Sequence, residues 1–411
     1  MSSQLSFWKR LRRIAGSAIR AVNRRSEIRA AHARKRKAEQ KYPTVPSAVH
    51  PIVLDVYVSQ NLMHLAPLYR ALKRRAVVPV YVALRDATDA TREAAVRRGI
   101  HEADILMGDA LFRARPSVTV ACDQAWEWIH PPVAGVPRIQ TFHGCLLKSY
   151  SDAMRDLAKF DHFFFPGPLY KATFEAHVMP HVNRSVSLHD TGMPRTDDIL
   201  DLRSRRERAY RALGLDPAVK TVLYAPTWHL EATFVSHGLE IVQAVSKMGH
   251  QCIVRPHPYA LDPSIGVARR RAGNVLKACG ELPGAVLGHD KDDRDVMAAS
   301  DVMIADFGSI AYEYLILDRP VVFFDSPAYH ALLRDDDLES WGRVAGPIVR
   351  EAAGLQKAIT AAVESPEEYS DRRGEVLSKI YFNLGRASEA CSEAIERIAL
   401  GHSAGSSAGQ A

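Results

Sequence analysis

Two histidines in this chain stand where acid–base or phosphate chemistry could use them. His143, in the run His143-Gly144-Cys145-Leu146-Leu147-Lys148, follows a short apolar stretch. An imidazole just past a strand, with glycine beside it, approaches a substrate hydroxyl closely and takes its proton near neutral pH. His257 lies in Arg255-Pro256-His257-Pro258, where the bracketing prolines fix the backbone and so aim the ring. A third stretch, Asp306-Phe307-Gly308-Ser309, separates the apolar run Val302–Ala305 from helix-spaced apolar residues between Ile310 and Leu317. Such a small-residue turn points free backbone N–H groups, and the positive end of the helix dipole, at whatever lies above, which suits a phosphate or pyrophosphate. Glu313 falls one helical turn after Ser309, on the same face. Thr191-Gly192-Met193-Pro194-Arg195 is a rigid turn presenting a guanidinium, and Tyr224-Ala225-Pro226-Thr227-Trp228 closes another apolar run. Each has a plain structural reading on its own: Ser309 as a helix N-cap, His143 as a satisfied strand-end histidine, the proline turns as turns. Five of them in series, all just past strands, point to a cleft that handles phosphoryl groups.

The elements that must position them alternate. Strand-like runs at Ile52–Val58, Val77–Leu84, Val118–Ala121, Arg138–Phe142, His162–Phe165 and Ser185–His189 are separated by helical patterns at Leu62–Arg75, Ala87–Arg98, Asp152–Ala158 and Leu169–Ala176. A polar, arginine-rich segment, Thr196–Leu213, ends at Gly214 and is expected to bridge two domains. The rhythm restarts with Thr221–Ala225, Gln251–Val254, Ala285–Leu287, Asp301–Ala305 and Val321–Phe324, with helices near Gly238–Lys247 and Asp293–Ala299. This pattern predicts an α/β protein of two doubly wound, mostly parallel domains, with ligands at the C-terminal ends of the strands. The expected division is a basic arm over 1–44, a first domain over 45–200, a second over 201–385, and a C-terminal helix with a mobile tail over 386–411.

Composition agrees with a globular body: 411 residues are enough for two cores, and 47% hydrophobic with 25% charged residues is ordinary. Five scattered cysteines without a C-x-x-C pair read as reduced thiols of a cytoplasmic protein. No apolar run approaches a bilayer span, and Arg20 closes the weak stretch Ile14–Ile19 before a signal peptide could develop. The net charge of +7 is concentrated: residues 1–41 hold 13 Lys/Arg against 2 Glu. Leu5, Trp8, Leu11, Ile14, Ala15, Ile19 and Val22 recur at helical spacing there, predicting a basic amphipathic helix that lies on an anionic membrane surface. No second basic-aromatic surface supports nucleic acid as the partner. Asp292, Asp293 and Asp295 resemble a metal-binding cluster, but at the start of a helix they read as caps, and Asp335–Asp337 read as a solvated loop. No metal or other cofactor is expected.

In combination, HG-x-x-LK (His143 to Lys148), TG-x-PR-x-D (Thr191 to Asp197), YAPTW (Tyr224 to Trp228), R-x-HP (Arg255 to Pro258) and SD-x-x-I-x-D-x-x-S followed by RPVVFFD (Ser300 to Asp325) resemble the CDP-glycerol glycerophosphotransferase family of teichoic-acid and capsule polymer transferases. The resemblance covers roughly residues 50–390. It implies a GT-B architecture, two Rossmann-like domains facing across a cleft, and transfer of glycerol phosphate from CDP-glycerol to a hydroxyl of a lipid-linked or polymeric acceptor with release of CMP. It makes His143 the general base and His257 the histidine that holds the pyrophosphate. Arg255, Thr227, Asp306, Gly308, Ser309, Ile310 and Glu313 fall on the donor side, and Gly144, Lys148 and Arg195 support the acceptor or phosphate. It implies a cytoplasmic enzyme peripheral at the inner face of the cell membrane. Two departures bear on the donor. Gly308 stands where the family usually has serine, and His229 where it commonly has arginine, so a GT-B glycosyltransferase or epimerase-like enzyme with another nucleotide-diphosphate donor is the alternative. A scaffold that binds a nucleotide without turnover is a third reading, and two cleft-facing histidines argue against it.

Overall fold

The computed structural model describes residues 30, 33, 35–37, 41, 50–123, 132–145, 157, 159–227, 232–261, 266–306, 308–325 and 341–408. Its first half is a sheet of seven strands: β1 (Ile52–Val56), β2 (Val80–Leu84), β3 (Ile105–Met107), β4 (Val118–Ala121), β5 (Arg138–Gln140), β6 (His162–Phe164) and β7 (Ser187–His189). They lie in the order β3-β2-β1-β4-β5-β6-β7, and all are parallel. Leu54 sits between Val82 and Val120 in register. Strands covered on both faces need apolar residues at successive positions, which is why β1 is buried throughout. Helices α1 (Leu62–Arg75), α2 (Asp89–Arg97) and α3 (Pro168–His177) connect them. The order reverses between β1 and β4, so the crevice of this domain opens above those two strand ends.

The second half repeats the plan with six parallel strands, β8 (Thr221–Ala225), β9 (Gln251–Val254), β10 (Ala285–Leu287), β11 (Val302–Ala305), β12 (Val321–Phe324) and β13 (Ile348–Val349), in the order β10-β9-β8-β11-β12-β13. Its reversal falls between β8 and β11. The bridge between the domains is helical: α4 (Arg195–Leu200), a 3-10 stretch over Asp201–Arg205, and α5 (Arg206–Leu213), which ends on Gly214 at φ +67°. The second domain's helices are α6 (Thr233–Ser236), α7 (Gly238–Lys247), α8 (Gly266–Glu281), α9 (Asp293–Ala299), α10 (Ser309–Leu315), α11 (Ala352–Glu364) and α12 (Ser370–Ile380).

The last helix, α13 (Ala387–Ala408), returns to the first domain. Cys391, Ala394, Ile395 and Ala399 enter the same core as Leu65, Leu68 and Leu72 of α1, and Arg75 pairs with Glu389 and Glu396. Residues Cys391 to Ala399 thus pack with the first domain, and the helix runs on past Gly401 to Ala408. The TG-x-PR-x-D motif is where the returning chain crosses. Gly192, at φ +85°, leaves room for the Phe382 carbonyl, which a Cβ would approach to 2.2 Å. Asp197 accepts the backbone N–H groups of Ala387 and Ser388, capping α13.

The amphipathic part of the basic arm lies outside the described residues, as do Trp228, His229, Lys148 and Asp335–Asp337. Farther along the arm, the described residues between 30 and 41 are helical, and Lys35 is 3% exposed with its Nζ 2.9 Å from Asp109. Among the described residues no helix is long and apolar enough to cross a membrane.

Candidate active site

His143 follows β5, and its surroundings fix its tautomer. Nδ1 lies 3.0 Å from the carbonyl oxygen of Cys122, at the end of β4. A carbonyl only accepts, so Nδ1 carries the proton and the neutral ring keeps its lone pair on Nε2. Asp123 Oδ1 is 3.6 Å from the same Nδ1. The other carboxylate oxygen accepts from Asn61 Nδ2 at 3.3 Å, while Asn61 Oδ1 accepts the N–H groups of Tyr57 and Val58 and shapes the turn from β1 into α1. The residue before the histidine is held unusually. Phe142 has φ +58°, a conformation uncommon for a bulky side chain. Its N–H donates to Gln140 Oε1 at 2.9 Å, and its ring packs among Phe163, Phe165, Tyr170 and Phe174. The half-exposed imidazole is thereby set on a rigid base at the end of the sheet. Gly144 stands beside it, half-buried.

On the second domain Asp306 is buried, with its carboxylate committed across the β8/β11 reversal. It accepts the N–H of Thr227 at 2.8 Å, the N–H of Thr233 at 3.1 Å and the Thr233 hydroxyl at 2.8 Å. Asp306 and Thr227, both placed on the donor side from sequence, therefore build the loop beside β8. Gly308 is the N-cap of α10 at φ −115°, with Ser309 and Ile310 half-buried in the first turn. Among the described residues a Cβ on Gly308 would meet Ile310 alone, at 3.6 Å, and its φ of −115° is open to any residue. His257 is exposed just past β9. Two residues before it, Arg255 donates to the carbonyls of Gly288 and Lys291 at 2.7 and 3.2 Å, fixing the loop between β10 and α9.

Between the two sheet ends lies a buried charge cluster. Arg195 is 4% exposed, with Nε 2.6 Å from Glu313 and Nη1 2.7 Å from Asp293. Arg98, at the end of α2, reaches Asp293 at 2.5 Å. Burial opposes ionisation of Asp293, but Arg195, Arg98 and Arg255 outweigh it and hold its carboxyl well below the usual range. The sequence expectation placed Arg195 as acceptor or phosphate support and Glu313 on the donor side. The structure instead pairs them with each other across the domain interface, because a carboxylate and a guanidinium this deeply buried require a partner. Asp292 caps α9 through the N–H of Arg294, as its place at a helix start predicts, and Asp295 pairs with Arg205. Among the described residues no group of three or more His, Cys, Asp or Glu is arranged to hold a metal.

The scan of family models matches residues 52–397 to CDP-glycerol:poly(glycerophosphate) glycerophosphotransferase. The chain belongs to that family. Among curated relatives it is 24% identical over 260 residues to the teichoic acid glycerol-phosphate transferase of Staphylococcus aureus, covering 57% of this chain and 64% of that protein. It is 23% identical to the teichoic acid poly(glycerol phosphate) polymerase of Staphylococcus epidermidis, covering 57% and 35%. The chain thus spans less than two thirds of the length of these relatives. A solved structure of the wall teichoic acid polymerase TagF, its H444N variant, superposes with a TM-score of 0.64 at 18% identity, covering 85% of this chain and 89% of that one. The UDP-GlcNAc 2-epimerase of Neisseria meningitidis follows at 0.57 and 16%, covering 84% and 100%. Both share the fold, the two-domain GT-B arrangement expected from the sequence.

In this member of the family, Asn61, His64, Cys122, Asp123 and Gln140 escaped the sequence reading. Asn61 and His64 lie five and eight residues past β1, Cys122 and Asp123 follow β4 directly, and Gln140 ends β5, but none belongs to a spaced motif. A cavity of about 460 Å³ lies elsewhere, between β13, α11 and α12, and contains no residue of the expected site.

The histidines also set an acid limit. Burial lowers His64 well below 6.5; burial and then the neighbouring His162 lower His189 to about 4; burial also lowers His162 and His250. Unfolded, all four gain a proton near pH 6.5; folded, they gain it only at lower pH. The unfolded state therefore binds more protons in between, and stability is complete above about pH 6.5 and declines as pH falls toward 4. Thermal melts should show a midpoint lower by about 5 °C or more at pH 5 than at pH 7.5. Equal midpoints would contradict this burial of neutral imidazoles.

Proposed function

We propose that this protein transfers glycerol phosphate from CDP-glycerol to a hydroxyl of a polymeric or lipid-linked envelope acceptor. The observation that carries the reading is the fixed tautomer of His143, which leaves Nε2 unprotonated beside the cleft. In the reaction, the acceptor oxygen attacks the glycerol-bearing phosphorus in line. Its proton passes to His143 Nε2, the phosphoanhydride P–O bond breaks, and CMP departs. His257 and the N–H groups at the start of α10 hold the diphosphate. The interdomain cluster brings Arg98, Arg195 and Arg255 together with Asp293 and Glu313 between the two sheet ends, so Arg255 and Arg98 are placed near the site expected for an anionic donor. No metal takes part in this scheme. The basic arm holds the enzyme at the inner face of the membrane, where such an acceptor would be presented.

The test is a donor panel. CDP-glycerol, CDP-ribitol and UDP- and GDP-sugars are each supplied with a glycerol-phosphate-primed acceptor, with and without EDTA, and the product is weighed by mass spectrometry. CMP release with a gain of one glycerol phosphate, unaffected by EDTA, is expected. Transfer of a sugar from a UDP- or GDP-donor in its place would overturn the reading, and loss of activity in EDTA would overturn the metal-free scheme. Liposomes of anionic lipid should retain the whole chain and release a variant lacking residues 1–41.

A further inference from the structure

His64 is the third residue of α1, in the helix turn directly above the β1/β4 reversal. It is 7% exposed, and its ring stands edge-on to His143 with centroids 6.1 Å apart and planes at 61°. Its Nδ1 is buried without a hydrogen-bond partner. Polar atoms buried this deeply are nearly always paired, so an orphan beside a candidate base implies a partner that binds there. The charged and titratable groups acting on it are Arg195 on α4, His143 past β5, Asp293 on α9 and Arg98 past α2, so the ring lies between the base and the cationic cluster. Three of those four groups oppose a second positive charge, as do burial and the N-terminal end of α1. A neutral imidazole remains a hydrogen-bond donor without competing for the proton that His143 takes.

We propose that His64 is a second substrate-contacting imidazole, a neutral hydrogen-bond donor through Nδ1 to an oxygen of the phosphoryl group in transfer. The proposal rests on the phosphoryl-transfer reading above. His64 exchanges no proton: the bond to the acceptor oxygen forms, the anhydride bond breaks, the acceptor proton resides on His143, and His64 only stabilises charge gathering on the phosphoryl oxygens.

His64→Phe keeps the ring and its edge contact with His143 but removes the nitrogen, whereas His64→Gln keeps an N–H donor. Both are compared with wild type on whichever donor of the panel wild type turns over, together with thermal melts. His64→Phe is expected to lose about 10²-fold in kcat with an unshifted melting midpoint, and His64→Gln to recover at least tenfold of that. The pH–rate profile of His64→Phe should keep the wild-type limb, since the proton acceptor is unchanged. A His64→Phe enzyme within twofold of wild type, or a Gln variant no better than Phe, overturns the assignment while leaving CDP-glycerol transfer standing. Turnover only on a different donor removes CDP-glycerol and leaves the His64 comparison intact. No turnover on any donor overturns both.

Discussion

Purified His143→Ala should turn over its donor about 10²–10⁴-fold more slowly than wild type while melting at nearly the same temperature. The size follows from what the ring supplies. An acceptor hydroxyl is a poor nucleophile at neutral pH, and a positioned base removes its proton as the new P–O bond forms. The ring is more than half exposed, so its removal opens no large cavity, and the fold should tolerate it. The loss should appear in kcat, with KM for the donor little changed, because the proposed scheme assigns the nucleotide to the other domain. Asp123→Asn refines the expectation. The ring keeps its tautomer through the Cys122 carbonyl but loses a neighbouring carboxylate that helps orient it, so a smaller loss of about tenfold is expected. Activity of His143→Ala within threefold of wild type would remove the base from this residue and with it the proposed mechanism.

How much of this could be read in the chain depended on how local each signal was. Both sheets were legible because buried parallel strands such as Val302–Ala305 and Val321–Phe324 are uniformly apolar and end at turn residues. Strand β13 is two residues long, and α8 carries Arg269-Arg270-Arg271 and three glycines among its apolar positions, so neither stands out by pattern. His143 and His257 were singled out because glycine or proline flanks them. His64 was not, since in sequence it is one polar residue inside an amphipathic helix. Arg195 and Glu313 were found but assigned outward, because nothing local reveals that residues 118 apart pair with each other. The TG-x-PR-x-D motif shows the same limit. Its glycine and aspartate serve a helix that begins nearly two hundred residues later.

Asp293→Asn should cost about 3–5 kcal/mol at pH 7, the range for removing one partner from a buried ion pair. For a protein of this size, melts should shift down by roughly 5 °C. Asp293 is the shared carboxylate of Arg98 and Arg195, so the neutral amide leaves two guanidiniums with weakened compensation at the interface. Arg195→Met tests the same cluster from the other side and should behave differently with pH. Burial already pushes Glu313 above the ordinary glutamate range, and Arg195 is the principal group opposing that push. Without it the folded carboxyl binds its proton more tightly than the unfolded one. A folded pKa raised in this way leaves the variant least penalised below about 4.5, with the deficit growing as pH rises through the folded value. Relative to wild type, the Arg195→Met melting deficit should therefore be larger at pH 8 than at pH 5. The variant's own acid limb, set by the neutral histidines, still falls in the other direction. A deficit independent of pH would mean that Glu313 finds another cation when Arg195 is gone, and an unshifted Asp293→Asn melt would mean that the two domains are held together by α13 and the returning chain alone.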